Sequence, residues 1–175
     1  AGKVALQLYR AANQGDVIAE LEKQGIDYKL TPEFIQERVD RFLQGVNPAI
    51  RALVKANEDQ VVECLMDNRR GLIHDDYSPR NLLVEDQRVV VIDHEKYREG
   101  HPLMQIISLY NFPDPNMLDG HEIVASWTKE FGGDEDFIKY GTVFWSMRQA
   151  GAISGRPNLQ SFHDYFTCRV EEVLE

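Results

Sequence analysis

Little in this sequence could staple it covalently or anchor it in a bilayer. Among 175 residues there are two cysteines, Cys64 and Cys168, each in an apolar helical context, neither closely paired nor beside a histidine. That spacing excludes a disulfide framework and argues against a thiol-based metal or nucleophile motif; both are expected to be buried, reduced thiols. No apolar run approaches the roughly 18–20 residues needed to cross a membrane, and Ala1-Gly2-Lys3 does not open a secretory pattern, so a cytoplasmic protein without a membrane partner is expected. Basic residues are also scarce, with 19 Lys and Arg against 29 Asp and Glu and a formal net charge of −10. Nucleic acid and anionic membrane surfaces select basic faces, so neither is the expected main partner. A cationic small molecule would suit the charge. Internal repeats and low-complexity tracts are missing too, which excludes a solenoid or a disordered linker. What remains is an apolar content of 43%, sufficient for a sizeable core in one domain spanning residues 1–175.

Helical periodicity dominates most of the chain. Val4, Leu6, Leu8 and Tyr9 predict a helix over 3–12, and Val17, Ile18 and Leu21 a second that stops at Gly25. Thr31-Pro32-Glu33 reads as a capped helix start followed by Ile35, Val39, Phe42, Leu43 and Val46 at core spacing. Asn47-Pro48 restarts a helix through Ile50, Leu53 and Val54, and a further one runs from about Asp59 to Asn68 before Arg69-Arg70, a pair expected to complement a helix dipole. Downstream, 103–111 reads as a short helix, and Phe112-Pro113-Asp114-Pro115-Asn116 breaks the chain. Leu118 to Phe131 forms a helix ended by Gly132-Gly133. Phe137 to Met147 is almost wholly apolar and therefore central, and Phe162 to Leu174 closes the chain. The fold class expected is α+β, mostly α-helical.

One stretch breaks this pattern and organises the rest. It runs Gly71-Leu72-Ile73-His74-Asp75-Asp76-Tyr77-Ser78-Pro79-Arg80-Asn81-Leu82-Leu83-Val84 and continues through Val89-Val90-Val91-Ile92-Asp93-His94-Glu95. Short β-branched and Leu-rich runs bracket a polar segment and a turn at 85–88, which predicts a strand, a loop and a small hairpin. Residues 96–102, with their charges, Gly100 and Pro102, read as a following loop. Asp76 and Asn81 share a loop stiffened by Pro79, and Asp93 closes the second hairpin strand. Two carboxylates and an amide oxygen can therefore converge on one point, a donor set for a hard divalent cation whose other ligands are phosphates.

His74-x-Asp76-x-x-x-x-Asn81, the hairpin, and Ile92-Asp93-x-Glu95 resemble the catalytic loop and metal-binding motif of the aminoglycoside phosphotransferase and choline kinase-like family. The resemblance covers nearly the whole chain. It implies the C-terminal lobe of a protein kinase-like fold with a small β-hairpin at the active edge. It further implies that Asp76 accepts the proton of a substrate hydroxyl, that Asn81 and Asp93 hold Mg2+ against the phosphates of ATP or GTP, and that His74 braces the loop. Glu95 belongs to the motif, either holding the loop or meeting the substrate. Two positions depart from the usual form: Asp75 stands where Gly is customary, and Gln105 or Ser108 lies where an Asp commonly steadies the loop.

A glycine-rich strand pair and an upstream strand lysine, the family's clamp on the nucleotide, do not occur in these residues. The expected function is transfer of the γ-phosphoryl group to a small-molecule hydroxyl, catalytic only with an N-terminal lobe supplied in cis or in trans. The isolated chain is expected to be inactive and to self-associate through apolar surface near residues 3–12 and the hairpin. Two other classes stand beside this one: a non-catalytic binding or scaffold module that kept the fold, and a metal-dependent phosphohydrolase using His74, Asp75, Asp93 and His94.

Overall fold

The computed structural model describes residues 2–14, 17–68, 71–85, 88–93, 96–111, 120–132 and 135–175. They form two compact units, one from Ala1–Leu30 with Asn68–Gly132, the other from Thr31–Asp67 with Gly133–Glu175. The architecture is α+β and mostly helical, as the residue patterns predict. Arg69, Arg70, Glu95 and the break at 112–116 lie outside the described residues.

In the first unit, helix α1 (Gly2–Ala12) turns Ala5, Tyr9 and Ala12 inward, the i, i+4, i+7 stripe of one helix face. They pack against strand β1 (Gly71–His74) and helix α6 (Pro102–Asn111). Ala5, Tyr9 and Ala12 are thus covered within the unit, while Val4, Leu6 and Leu8 are half-buried. Helix α2 is Val17–Lys23. Just beyond α1, the Asn13 carboxamide behaves like a short strand. Its Nδ2 donates to the Leu72 carbonyl and its Oδ1 accepts from the Leu72 N–H, both at 2.8 Å. Gly71 is required by this approach, because a Cβ there would overlap the Asn13 carboxamide oxygen.

Strands β2 (Leu82–Glu85) and β3 (Arg88–Val91) form the expected antiparallel hairpin, with Leu83 opposite Val90. The segment read as a loop is instead a strand: β4 (Tyr97–Gly100) pairs antiparallel with β1, His74 opposite Tyr97 and Gly71 opposite Gly100. Its charges are engaged by backbone. Arg98 Nη1 donates to the Lys29 carbonyl at 3.0 Å, and Glu99 Oε2 accepts from the Leu30 N–H at 3.2 Å. Charge in this segment thus binds a neighbouring chain segment, which composition cannot reveal. Helix α6 is buried nearly all round, from Pro102 and Leu103 through Leu109 and Asn111. Helix α7 (Gly120–Phe131) packs on it, with Trp127, Phe131 and Tyr9 in edge or tilted ring contacts at 5.2–5.4 Å.

The second unit is helical. In α3 (Pro32–Leu43) the Thr31 hydroxyl accepts from the Phe34 N–H at 3.2 Å, and in α4 (Pro48–Ala56) Asn47 Oδ1 accepts from Ile50 at 2.9 Å, both as the sequence predicts. Helices α3, α5 (Glu58–Asp67) and α9 (Gln160–Leu174) pack against α8 (Glu135–Ile153), which buries Phe137 and every residue from Gly141 to Met147, while α4 packs on α9 and α5. Helix α8 runs six residues past Met147, the end expected from its apolar run. It does so because Gly151 lets it cross α3 closely; a Cβ there would come within 2.9 Å of Phe42 Cα. Cys64 is half-buried and Cys168 is exposed on α9, off the stripe formed by Phe166 and Val170, so the expectation of two buried thiols is corrected. Among the described residues no helix is long and apolar enough to cross a membrane.

Burial pushes the phenol of Tyr77 far above its ordinary range, against a backbone hydrogen bond at Ala5, and burial also raises Tyr97. A raised phenol contributes stability that is fully present below the unfolded value near 10 and is lost as pH rises above it. Urea midpoints are therefore expected to hold to about pH 9.5 and then fall. Tyr77→Phe should flatten that alkaline fall, and an unchanged slope would show that Tyr77 is not its source.

Candidate active site

The loop from Asp75 to Asn81 connects β1 to the hairpin, and its backbone is pinned at successive points. The His74 N–H donates to Gln105 Oε1 at 3.0 Å, and Gln105 Nε2 donates to the Ala5 carbonyl at 2.8 Å. Asp75 N–H donates to the Lys96 carbonyl at 2.8 Å, extending the β1–β4 ladder by one rung. His74 Nδ1 accepts from the Asp76 N–H at 3.2 Å, while Tyr77 and Tyr97 meet the ring edge-on at 6.3 and 5.6 Å. Ser108, one helical turn after Gln105, donates its hydroxyl to the Tyr77 carbonyl. The two α6 residues standing where an Asp is customary both hold this loop.

Asn81 Nδ2 donates to the Asp76 carbonyl at 2.8 Å, so its Oδ1 is the atom that a cation would use. The Asn81 carbonyl accepts from the Ile92 N–H at 2.9 Å, tying the loop to the residue before Asp93. Asp93 adopts φ 63°, the one positive φ at a non-glycine among the described residues. That left-handed turn, which Asp tolerates better than most side chains, ends the strand. Asp75, in the place of the customary Gly, needs no positive φ. The backbone here accepts a side chain.

Asp76 and Asp93 come together on one cation. Lys96 Nζ lies 3.1 Å from Asp76 Oδ2 and 3.2 Å from Asp93 Oδ2. The bonds to Asp76 and then Asp93 raise the Lys96 ammonium above its ordinary range. Lys96 carries no motif signal, and only the pairing of β4 with β1 indicates that it reaches these acids. Of the predicted site residues, the structure brings His74, Asp76, Asn81 and Asp93 into one neighbourhood within the first unit.

The donors fit a hard divalent cation. Mg2+ is usually held by one or two carboxylates, with phosphates and water completing the shell, and here two carboxylates already share one positive charge. Among the described residues no three His, Cys, Asp or Glu side chains converge as a metal group, and His74 directs Nδ1 to backbone. His94, one of the four ligands of the phosphohydrolase alternative, lies outside the described residues. A cavity of about 440 Å³ lies within the second unit, lined by Arg38, Arg41, Phe42, Gly45, Arg148 and Gly151 among others, and it includes none of the motif residues.

Replacing Gln105 with Leu would strand the buried His74 N–H. A loss of about 1–3 kcal/mol in unfolding free energy is expected, with faster hydrogen exchange at the His74 amide. Unchanged exchange would show that the amide has another acceptor.

The sequence model of the phosphotransferase enzyme family, APH, matches residues 5–135. No curated protein sequence matches the chain. Among solved structures, a thermostable mutant of aminoglycoside phosphotransferase APH(4)-Ia in its apo form is 17% identical with a TM-score of 0.61, covering 82% of this chain and 51% of that one. A ternary complex of the same enzyme with ADP and hygromycin B is 16% identical with a TM-score of 0.59, over 85% of this chain and 53% of that one. Choline kinase LicA from Streptococcus pneumoniae is 14% identical with a TM-score of 0.54, over 85% and 55%. The chain spans about half the length of the structures it matches.

Proposed function

The chain belongs to the phosphotransferase enzyme family, and from that premise we propose that it is the C-terminal lobe of a small-molecule kinase. It transfers the γ-phosphoryl group of ATP or GTP to a hydroxyl, with this lobe supplying the base and the metal ligands. The observation that carries the reading is the approach of Asp76 and Asp93 to one cation, beside the Asn81 carboxamide that is bonded to the Asp76 carbonyl.

Phosphoryl transfer calls for positioning and charge neutralisation more than for covalent catalysis. Asp76, on a loop fastened at His74, Tyr77 and Asn81, orients the acceptor hydroxyl and takes its proton. Asp93 and the Asn81 oxygen would hold Mg2+, which when bound would supply charge neutralisation at the phosphate oxygens of the donor. His74 keeps the loop in register by accepting the Asp76 N–H. Glu95, outside the described residues, is assigned to loop support or substrate contact. ATP is the favoured donor, because complexes of APH(4)-Ia hold ADP and AMP-PNP. A cationic acceptor suits the net charge of −10, and a cytoplasmic setting suits the donor.

An N-terminal lobe, in cis or in trans, completes the nucleotide cleft in this proposal. The hairpin supports it. Leu83 and Val90 are cross-strand partners, and with Ile92 they are exposed at 51%, 44% and 37%. Such apolar surface favours a partner. In the 175-residue chain alone the same face would drive self-association, so sedimentation should show a concentration-dependent dimer that Leu83→Thr/Val90→Thr abolishes. A monomer at all concentrations would reject that role.

The activity test uses the full-length protein with Mg2+ and ATP or GTP against amine-bearing and neutral hydroxyl compounds, following release of nucleoside diphosphate. Acceptor-dependent release is expected. Its absence with both nucleotides would turn the assignment to a binding module. Asp76→Asn should lower turnover about 10²–10⁴-fold. Asp93→Asn, which keeps a residue tolerant of positive φ, should do so with the fold intact. Near-wild-type turnover in either variant would reject its role.

A further inference from the structure

Two carboxylates held toward one point in an acid-rich chain repel each other, and that repulsion is offset by protonation, by separation, or by a neighbouring cation. This chain has its own. The Lys96 ammonium bonds Asp76 Oδ2 and Asp93 Oδ2 at 3.1 and 3.2 Å. Its backbone is fixed by the Asp75 N–H to Lys96 carbonyl bond, while its side chain is 42% exposed. A lysine suits such a place: it is a point charge with three donors on a flexible stem, able to serve two acids and then leave.

We propose that Lys96 is a resident counter-ion of the metal site: its Nζ bridges Asp76 and Asp93 while the site is empty, and a divalent cation enters only as Lys96 is displaced. This rests on the assignment of Asp93 and Asn81 as metal ligands. The exchange is feasible because ion pairs this exposed are individually weak. A divalent ion brings two charges where the ammonium brings one, so the exchange adds positive charge beside the carboxylates. Metal binding and release of the lysine are then one coupled event, and the intrinsic affinity of the acids for metal is masked by the competing ammonium.

The test is binding of Mn2+ alone, without nucleotide, by calorimetry or by the electron paramagnetic resonance signal of free Mn2+. Wild type is compared with Lys96→Met, Lys96→Arg and Asp93→Asn. Lys96→Met should bind Mn2+ about fivefold more tightly than wild type, from the small energies of exposed ion pairs. Lys96→Arg should return toward or below wild type, and Asp93→Asn should lose this binding. Equal or weaker affinity in Lys96→Met overturns the counter-ion role while leaving the metal site standing. No Mn2+ binding in wild type or Lys96→Met, or undiminished binding in Asp93→Asn, overturns the metal-site assignment and the competition with it. In the unsubstituted protein, Mg2+ titrated against the side-chain resonances of Lys96 should shift its Cε and Hε signals in step with saturation. Signals that stay in place while Mg2+ binds also overturn the proposal.

Discussion

The first unit depends on one buried carboxamide. Gln105, 1% exposed, accepts from the His74 backbone with one atom and donates to the Ala5 carbonyl with the other. It thereby joins α6, the end of β1 and the middle of α1. A loop that leaves a strand inside a packed core carries N–H and C=O groups with no ladder to join, and each must find a partner or destabilise the fold. Gln105 meets one of these needs and Ser108, a turn later, meets another at Tyr77. Helix α6 can spare both residues for this because most of its other side chains are apolar and buried. A neutral amide accepts with one atom and donates with the other, which an ionised carboxylate could not do, and it adds no further charge near the loop.

From that fixed point the geometry of the acids follows. With His74 held, its Nδ1 accepts the Asp76 N–H, and Asn81 closes the loop on the Asp76 carbonyl. Asp93 is set by the strand end and its left-handed backbone. Both carboxylates are oriented by neighbouring backbone, the preorganisation that electrostatic catalysis needs. The cost is mutual repulsion, and Lys96 offsets it from the adjoining strand.

The second unit solves a different problem, that of satisfying the end of α3. The carbonyls at and just past its end are met by side chains from α4, from the turn after α8 and from α9. Arg51 Nε donates to Leu43 at 3.2 Å, Ser154 Oγ donates to Gly45 at 3.2 Å, and His163 Nε2 lies 2.8 Å from that same Gly45 oxygen. Orphan groups at a helix terminus thus become the seam of a bundle. Gly45 and Gly151 allow the approach, since a Cβ at Gly45 would meet Ser154 Cβ at 2.5 Å.

Helix starts at Thr31 and Asn47, the buried stripes of α3 to α5, the hairpin and the loop motif were all legible, because each is decided by residues within a few positions of one another. Glu95, Arg69 and Arg70 were equally legible as candidates, and they fall outside the described residues. What sequence could not show is contact across long separations. Nothing local marks Tyr97–Gly100 as a strand, since its partner β1 lies more than twenty residues earlier and its charges look solvated until the backbone of Lys29 and Leu30 is beside them. The burial of the α1 face, the exposure of Cys168 and the passage of α8 through Gly151 likewise depend on which surfaces meet. By itself the sequence determined the helices, the hairpin and the identity of the motif acids. Only the tertiary structure decided that Gln105 and Ser108 hold the loop and that Lys96 joins Asp76 to Asp93, because a hydrogen bond or ion pair forms from proximity in space and leaves no periodicity in the chain.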